Sequence, residues 1–321
     1  MVDSVGRNGQ AVHVVVTCTN RKRVPVPEYL HVRSLKAKGV VGRSDEWIKR
    51  LSGAKAPVAA SNMYAGEHWL IARDLPEVVG QEATLWVCSA GYGLIPVDAP
   101  IAPYAATFAF GHEDSVASDT GGTRQWWELL SQWVGPSDRQ PRSFTGLASL
   151  YPDAAIVAVL SDPYLRACAD DLREAASRLS NSDNLSIIGP AGRCAEIDDL
   201  VVPVRADLRS VVGGSLLSLN ARAARHVLKE SRLRGDAVQR PLLAKLMSDT
   251  LADAPEIPRK PAGIRMADEE VRTFIRKRLE HGPISVTPLL RELRSSGLSC
   301  EQARFRDLFL EEQRASAGDW Q

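Results

Sequence analysis

The chain has 321 residues, of which 44% are hydrophobic and 25% charged, so it is long and apolar enough for two domains or for one large domain with an appendage. Its formal net charge of +1 excludes an overall field that would attract it to nucleic acid or to a membrane. Any such attraction must come from local patches of charge.

The cysteines and histidines argue for a reduced, cytoplasmic protein without a metal site. The five cysteines are an odd number, no Cys-x-x-Cys pair occurs, and the six histidines lie singly along the chain. The apolar run at 11–18 is too short to cross a bilayer and lacks a cleavage-site pattern. We therefore expect free thiols, no cofactor and no membrane segment.

Five apolar runs have the composition of buried β-strands. They are VHVVVTC (12–18), ATLWVCSA (83–90), AAIVAVLS (154–161), NLSIIGPAG (184–192) and LVVPVRAD (200–207). Segments with helical spacing of apolar residues lie between several of them, as at 163–180. Runs that are apolar on both faces and alternate with helices predict an α/β fold over residues 1–252, with a mostly parallel or mixed sheet flanked by helices.

Two of these runs end in reactive side chains, at the strand ends where such sheets bind ligands. Cys18 ends the first run with Arg21 and Lys22 close behind it, and Cys88 and Ser89 end the second. If the two strands are neighbours, both turns face one pocket. A nearby cation lowers the pKa of a thiol and makes it a better nucleophile, so either cysteine is a candidate, with Lys22 as its cation.

The segment after the second run, GYGLIPVDAPIAPYAATF (91–108), adds polar groups to this expected pocket. Asp98 is a candidate acid or base, and Tyr92 and Tyr104 are candidates for stacking on a planar ligand. The alternative is structural, because cysteine is among the most buried residue types and the glycines and prolines here also suit a long connection. The sequence leaves both interpretations open.

A basic segment follows the last apolar run. The turn Gly213-Gly214-Ser215 precedes a long amphipathic helix, and exposed N–H groups at such a turn can hold a phosphate. The alternative is a plain loop with a serine cap and a solvated helix face. The residues expected to contact DNA here are Gly214, Ser215, Arg222, Arg225, Lys229 and Arg232.

The C-terminal part predicts a second domain. The proline-rich stretch at 253–264 is typical of a linker, and residues 265–321 predict short helices joined by glycine-containing turns, as in a helix-turn-helix module. Arg304 and Arg306 lie on the last helix, where a groove-reading helix would carry them. Acidic residues nearly balance the basic ones, so DNA binding and the docking of another protein are both open.

The first 110 residues resemble a family of small bacterial and phage proteins that is similar in turn to the YaaA-like peroxide-stress proteins. The shared features are a Cys-x-x-x-Lys start and a Ser-Ala-x-Tyr-Gly-Leu segment followed by Ile-x-Pro-Tyr-x-x-Thr. Gly91 and Ala105 depart from the pattern, since a lysine and an aspartate are common there, and Lys22 and Asp98 are candidates for those roles. The matching positions are Cys18, Lys22, Tyr64, Ser89, Ala90, Tyr92, Gly93, Leu94, Ile101, Pro103, Tyr104 and Thr107.

The resemblance implies a protein that acts on DNA. YaaA-like proteins are associated with DNA binding and protection, and one member from gene clusters that install 7-deazaguanines in DNA is implicated in hydrating the nitrile of 7-cyano-7-deazaguanine. The hypothesis is therefore nitrile hydration on this base in DNA, with Cys88 or Cys18 as nucleophile and Lys22 and Asp98 assisting. The residues expected to bind the base are Asn20, Arg21, Tyr64, Ser89, Tyr92, Gly93, Tyr104 and Thr107.

Two alternatives belong to other classes of function. A non-catalytic protein that shields DNA under oxidative stress would use the basic segment and need no thiol. An enzyme that cleaves or exchanges an N-glycosidic bond would need a carboxylate such as Asp98. For the enzyme hypotheses, other proteins of a DNA-modification cluster are candidate partners.

Overall fold

A computed structural model describes residues 10–54, 58–80, 82–137, 139–252, 263–282 and 284–318. The expected fold class is confirmed: a six-stranded, mostly parallel sheet is flanked by helices, and the C-terminal helices contact one another. Contacts divide the chain into two units, residues 1–255 and 256–321, and each has its own apolar core.

The described residues of the larger unit form eight strands and eleven α-helices. The strands are β1 (Val12–Thr17), β2 (Val58–Ala59), β3 (Ala83–Ser89), β4 (Gly93–Pro96), β5 (Pro100–Ile101), β6 (Ala155–Val159), β7 (Leu185–Gly189) and β8 (Val201–Pro203). The helices are α1 (Gly39–Ser52), α2 (Ala60–Met63), α3 (Glu67–Ala72), α4 (Leu75–Val79), α5 (Thr120–Gln132), α6 (Phe144–Leu150), α7 (Asp162–Ala167), α8 (Ala169–Arg178), α9 (Arg209–Val212), α10 (Leu219–Arg234) and α11 (Arg240–Ala252).

The main sheet has the strand order β4-β3-β1-β6-β7-β8, and every pair in it is parallel except β3 with β4. All five apolar runs of the sequence are strands of this sheet, which confirms that part of the prediction. β2 and β5 form a separate antiparallel pair. All residues of β1 and β6 are buried, as expected of strands in a sheet that is covered on both faces.

Two of the helices that cover the sheet, α5 and α6, begin at residues whose side chains cap them. The carboxylate of Asp119 accepts a hydrogen bond from the N–H of Gly122 at the start of α5, and the hydroxyl of Ser143 accepts one from the N–H of Gly146 at the start of α6. Contacts group the helices into two sets, α3, α4, α10 and α11 on the one hand and α1, α5, α6, α7 and α8 on the other. Two such layers explain why the strands are apolar on both faces.

The strand order reverses at β1. From β1 the chain passes to β3 on one side, and it later enters β6 on the other side of β1. The connections that leave β1 and β6 therefore diverge and open a crevice beyond their carboxyl ends, which is the usual ligand position in open α/β sheets.

The smaller unit contains α12 (Asp268–Leu279), α13 (Val286–Ser295) and α14 (Gln302–Gly318), together with a parallel pair of short strands, β9 (Ile264–Arg265) and β10 (Leu298–Ser299). Its core includes Val271, Leu289 and Phe305, one from each helix. Of the predicted linker at 253–264, residues 253–262 lie outside the described residues, and Ile264 belongs to β9. Across the described ranges, no helix is long and apolar enough to cross a membrane.

Candidate functional site

A cavity of about 580 Å³ occupies the crevice between the carboxyl ends of β1 and β6. Its volume is in the range of small-molecule sites. The turn after β1, the start of α3, the connection from β6 into α7 and the start of α10 each contribute to its wall. The wall consists of residues 17–21 and 65–68 together with Thr107, Ala109, Val159, Ser161, Pro163, Tyr164, Ser215, Leu217, Ser218 and Asn220.

Cys18 places a thiol on this wall. It follows the last residue of β1, is 8% exposed and lines the cavity. Its Sγ lies 3.1 Å from the hydroxyl oxygen of Tyr164, on α7. Burial raises the pKa of Tyr164 well above its ordinary value, so the phenol keeps its proton at neutral pH. A protonated hydroxyl can donate to the sulfur and thereby stabilise negative charge on it.

A chain of buried hydroxyls lies next to this thiol. Ser89 Oγ accepts hydrogen bonds from the N–H groups of Gly91 (3.1 Å) and Tyr92 (3.0 Å), which occupy both of its lone pairs. Its own proton therefore goes to the hydroxyl oxygen of Tyr104, 2.6 Å away, which lies 3.0 Å from that of Tyr64. Burial raises the pKa values of both tyrosines, so these hydroxyls serve as hydrogen-bond donors.

Lys22 supplies the cation that the sequence predicted near Cys18. Its ammonium donates to the carbonyl oxygen of Thr19 and lies 4.5 Å from the ring centroid of Tyr104 and 5.4 Å from that of Tyr64. Burial lowers the pKa of Lys22, while the charges of Cys18 and Asp114 act in the opposite direction. No carboxylate within the described ranges forms a salt bridge with this ammonium, so its field acts on the thiol and on the aromatic rings.

His68, which the sequence did not single out, brings a neutral imidazole to the cavity wall. Its Nε2 lies 3.2 Å from the carbonyl oxygen of Thr17, which can only accept, so Nε2 carries the proton. Burial lowers the pKa of His68 and keeps it neutral at neutral pH. Both hydrogen bonds of the His68 ring within the described residues are made by Nε2, so Nδ1 keeps its lone pair, as a base requires.

Glu67, also missed from the sequence, places a carboxylate at the cavity rim. It accepts hydrogen bonds from the hydroxyls of Ser215 (2.8 Å) and Ser218 (2.9 Å) and from the guanidinium of Arg222. These donors lower the pKa of Glu67 to about 2, the guanidinium contributing most. The turn predicted to hold a phosphate therefore faces a carboxylate, and Arg222 also covers Gly214. The geometry favours a structural role for these groups.

Cys88 is placed differently from Cys18. It is fully buried, does not line the cavity, and its Sγ lies 3.7 Å from that of Cys168. Burial raises the pKa of Cys88, so the protonated thiol is favoured. The structure thus brings Cys18 to the cavity and leaves Cys88 in the core.

Asp98 lies at the opposite end of β3 from the expected pocket. Because β4 runs antiparallel to β3, the chain returns along the sheet, and the N–H of Val97 donates to the carbonyl oxygen of Leu85. The Asp98 side chain is exposed in the following turn and does not line the cavity. The structure does not bring it together with Cys18.

The residues predicted to bind the base divide into two groups. Asn20, Arg21 and Thr107 line the cavity. Tyr92 does not, because its hydroxyl accepts a hydrogen bond from the N–H of Ala102 (2.9 Å) inside the core. Gly93 has φ +72° and begins β4, where only its backbone takes part. Tyr64, Ser89 and Tyr104 form the buried hydroxyl chain beside the thiol.

Only some of the predicted DNA-contacting side chains are free. On α10, Arg232 donates to the carbonyl oxygen of Glu77, whereas Arg225 and Lys229 are exposed with no partner in the described part of the chain. In the smaller unit, Arg304 pairs with Asp268 on α12, whereas Arg306 is exposed.

A second cavity of the larger unit, about 830 Å³, has no comparable chemistry. Its wall includes Trp127 and Asp171. The Asp171 carboxylate accepts from the indole N–H of Trp127 (2.9 Å) and from the backbone N–H groups of Phe144 (2.7 Å) and Thr145 (2.9 Å). These bonds hold α5, α6 and α8 together, so we assign this carboxylate a structural role.

No protein-family model, curated protein or solved structure matches this chain. A function must therefore be argued from the chemistry of the cavity and from the motifs in residues 18–107.

Proposed function

We propose that the chain is an enzyme that hydrates the nitrile of a 7-cyano-7-deazaguanine base in DNA to the carboxamide, with Cys18 as nucleophile. The observation that carries the proposal is the thiol of Cys18 on the cavity wall with the hydroxyl of Tyr164 at 3.1 Å from its sulfur. A nitrile carbon is an electrophile that a sulfur nucleophile attacks readily. The YaaA-like resemblance supports the same substrate.

The first step forms a thioimidate. The Cys18 sulfur bonds to the nitrile carbon, one π bond of the C≡N group breaks, and the thiol proton ends on the nitrogen. While the sulfur carries negative charge, the hydroxyl of Tyr164 and the ammonium of Lys22 stabilise it.

The second step adds water and releases the amide. As a water oxygen bonds to the thioimidate carbon, His68 Nδ1 accepts a water proton and passes it to the nitrogen, which becomes NH₂. The carbon–sulfur bond then breaks, the remaining hydroxyl proton is transferred to the sulfur, and the thiol is restored. The net reaction adds one water molecule to the nitrile and needs no other reactant.

The polar groups of the wall suit a purine-like edge. The amide nitrogen of Asn220 donates to the carbonyl oxygen of Leu160 (2.7 Å), which leaves the Asn220 amide oxygen as an acceptor. The Watson–Crick edge of a deazaguanine presents N–H donors, and a flipped base is read by hydrogen bonds to that edge.

The glycosidic-bond alternative receives less support. It needs a carboxylate at the sugar, and Glu67 is the one acidic side chain among the described residues of the wall, where it is already bound by three donors. Asp98, the carboxylate that the sequence suggested, lies at the other end of β3. The non-catalytic alternative would leave the cavity without a substrate.

To test the proposal, the protein is incubated with DNA that contains 7-cyano-7-deazaguanine. The DNA is then digested, and the masses of the nucleosides are measured. We expect a product heavier by one water molecule, absent from the same incubation with Cys18→Ala. A free base released from the DNA would favour the glycosidic alternative instead. If the DNA is bound but recovered unchanged, the non-catalytic alternative replaces the proposal.

A further inference from the structure

The basic and acidic residues of the smaller unit are nearly equal in number, and several of them form ion pairs. Arg272 pairs with Glu311, and Arg276 pairs with Glu269 and with Glu312. These ion pairs hold Glu311 and Glu312 of α14 beside α12. The charges of Arg272 and Arg276 are therefore compensated by carboxylates of α12 and α14.

A groove of about 480 Å³ lies along α13 and the start of α14. It contains Arg291, which is exposed and has no ion pair or hydrogen bond within the described ranges, and Arg294, which is exposed and donates to the carbonyl oxygen of Cys300 (3.2 Å). None of the described residues that line this groove is acidic. The hydroxyl of Thr287 and the amide of Gln302 add further donors to its wall.

Arg306 lies on α14, outside the lining of this groove. It lies four residues after Gln302, so the two side chains share one face of the helix. Arg306 is exposed and unpaired among the described residues, in contrast to Arg304, whose guanidinium is held by Asp268 and by the carbonyl oxygen of Met266 (2.9 Å). Of the two arginines that the sequence proposed for groove reading, one is therefore available.

We propose that this groove binds the phosphates of a nucleic-acid backbone through Arg291 and Arg294, and that Arg306 adds a contact from α14. Guanidinium groups match phosphate oxygens in shape and charge, and hydroxyl and amide side chains are frequent phosphate donors. An acidic protein helix would instead need an apolar strip to pack on, and Leu290, an apolar residue of the groove, is already buried in the core. The proposal goes beyond the proposed function and holds whether or not Cys18 reacts.

The test measures binding of the full chain to a short fluorescent DNA duplex of random sequence over a range of salt concentrations. Because each lost phosphate contact reduces the slope of log K against log salt by about one, we expect Arg291→Gln and Arg306→Gln to lower it by about one each, and the double variant by about two. The matched control is Lys277→Gln, which removes an exposed cation from α12. It should leave the slope unchanged.

Three outcomes would overturn the proposal. The first is that the parent chain does not bind the duplex. The second is that the control changes the slope as much as the groove variants do, and the third is that the groove variants retain the parental slope. A parent chain that binds a polyglutamate peptide but no duplex would assign the groove to an acidic protein. Circular dichroism and thermal melts verify that each variant is folded.

Discussion

The carboxyl ends of β1 and β3 are similar in sequence and differ in what surrounds them. In each case an apolar run is followed by a cysteine. The two strands are parallel neighbours in the sheet, and Thr17 lies opposite Cys88. Beyond β1, the chain turns at 19–22 and leaves Cys18 on the wall of a cavity. Beyond β3, the chain reverses into β4, and Cys88 is buried beside Cys168.

The difference shows that the connection after a strand decides whether a strand-end thiol can react. β1 ends where the strand order reverses, so neighbouring connections diverge and leave space. The tight antiparallel return from β3 is buried, and its Ala90 and Gly91 carbonyl oxygens accept from the indole N–H groups of Trp126 and Trp47. The two side chains are chemically the same. Their position in the fold leaves Cys18 on the cavity wall and Cys88 in the core.

The largest effect expected from this comparison is the loss of turnover on removing the Cys18 thiol. Cys18→Ala should lower the rate of nitrile hydration at least about 10³-fold, because no other nucleophile replaces the sulfur. Cys88→Ala is the matched control and should keep the rate while losing about 1 kcal/mol of the free energy of unfolding. Assays on the cyano substrate measure the rate, and urea unfolding measures the stability. A Cys88→Ala variant that loses the rate while Cys18→Ala keeps it would contradict the assignment of Cys18 as the nucleophile.

A second prediction concerns His13, which is buried at the amino-terminal end of β1. His13 Nδ1 faces the hydroxyl of Thr84 (2.6 Å) and accepts from the indole N–H of Trp86 (3.3 Å), while its Nε2 is buried without a partner. Burial lowers the pKa of His13 from 6.5 to about 4. Between these pH values the unfolded chain binds more protons than the folded one, so stability falls as the pH drops through this window.

The loss should approach about 3 kcal/mol near pH 4 and vanish above about pH 6.5. Urea unfolding at a series of pH values measures it. His13→Gln carries no titrating group and should show a flatter dependence than the parent chain, and identical profiles would show that this ring does not control acid stability.

The smallest expected effect concerns the hydroxyl that contacts the reactive sulfur. Tyr164→Phe removes that hydrogen bond and should slow the reaction of Cys18 with an alkylating reagent about tenfold. Tyr92→Phe is the control, because its hydroxyl accepts from the N–H of Ala102 in the core. Equal rates in the parent chain and Tyr164→Phe would mean that this hydroxyl does not stabilise the thiolate.

The sequence supported the strands and the neighbourhood of Cys18, because both depend on local composition. Runs that were apolar on both faces identified the five main strands, and two of the residues singled out after the first of them, Cys18 and Arg21, lie on one cavity wall. Tyr164, which follows β6 and contacts the sulfur, was not singled out.

The remainder depends on contacts between distant parts of the chain. Glu67 lies 155 residues from Arg222, and nothing local shows that this pair neutralises the turn at Ser215. The direction of β4 was equally hidden, because the glycines at 91–93 suit either a hairpin or a long loop. The sequence therefore suggested that Asp98 and Cys88 share one pocket. In the structure the hairpin carries Asp98 to the other end of β3, and Cys88 is buried in the core.

The central claim is that Cys18 is the accessible, reactive thiol and Cys88 is not. Brief treatment of the native protein with iodoacetamide, followed by peptide mass mapping, compares their labelling rates directly. We expect Cys18 to be labelled first and Cys88 to react only after unfolding. Cys194 should react slowly, because burial and the Glu196 carboxylate raise its pKa to about 11. Labelling of Cys88 in the folded protein as fast as that of Cys18 would contradict it.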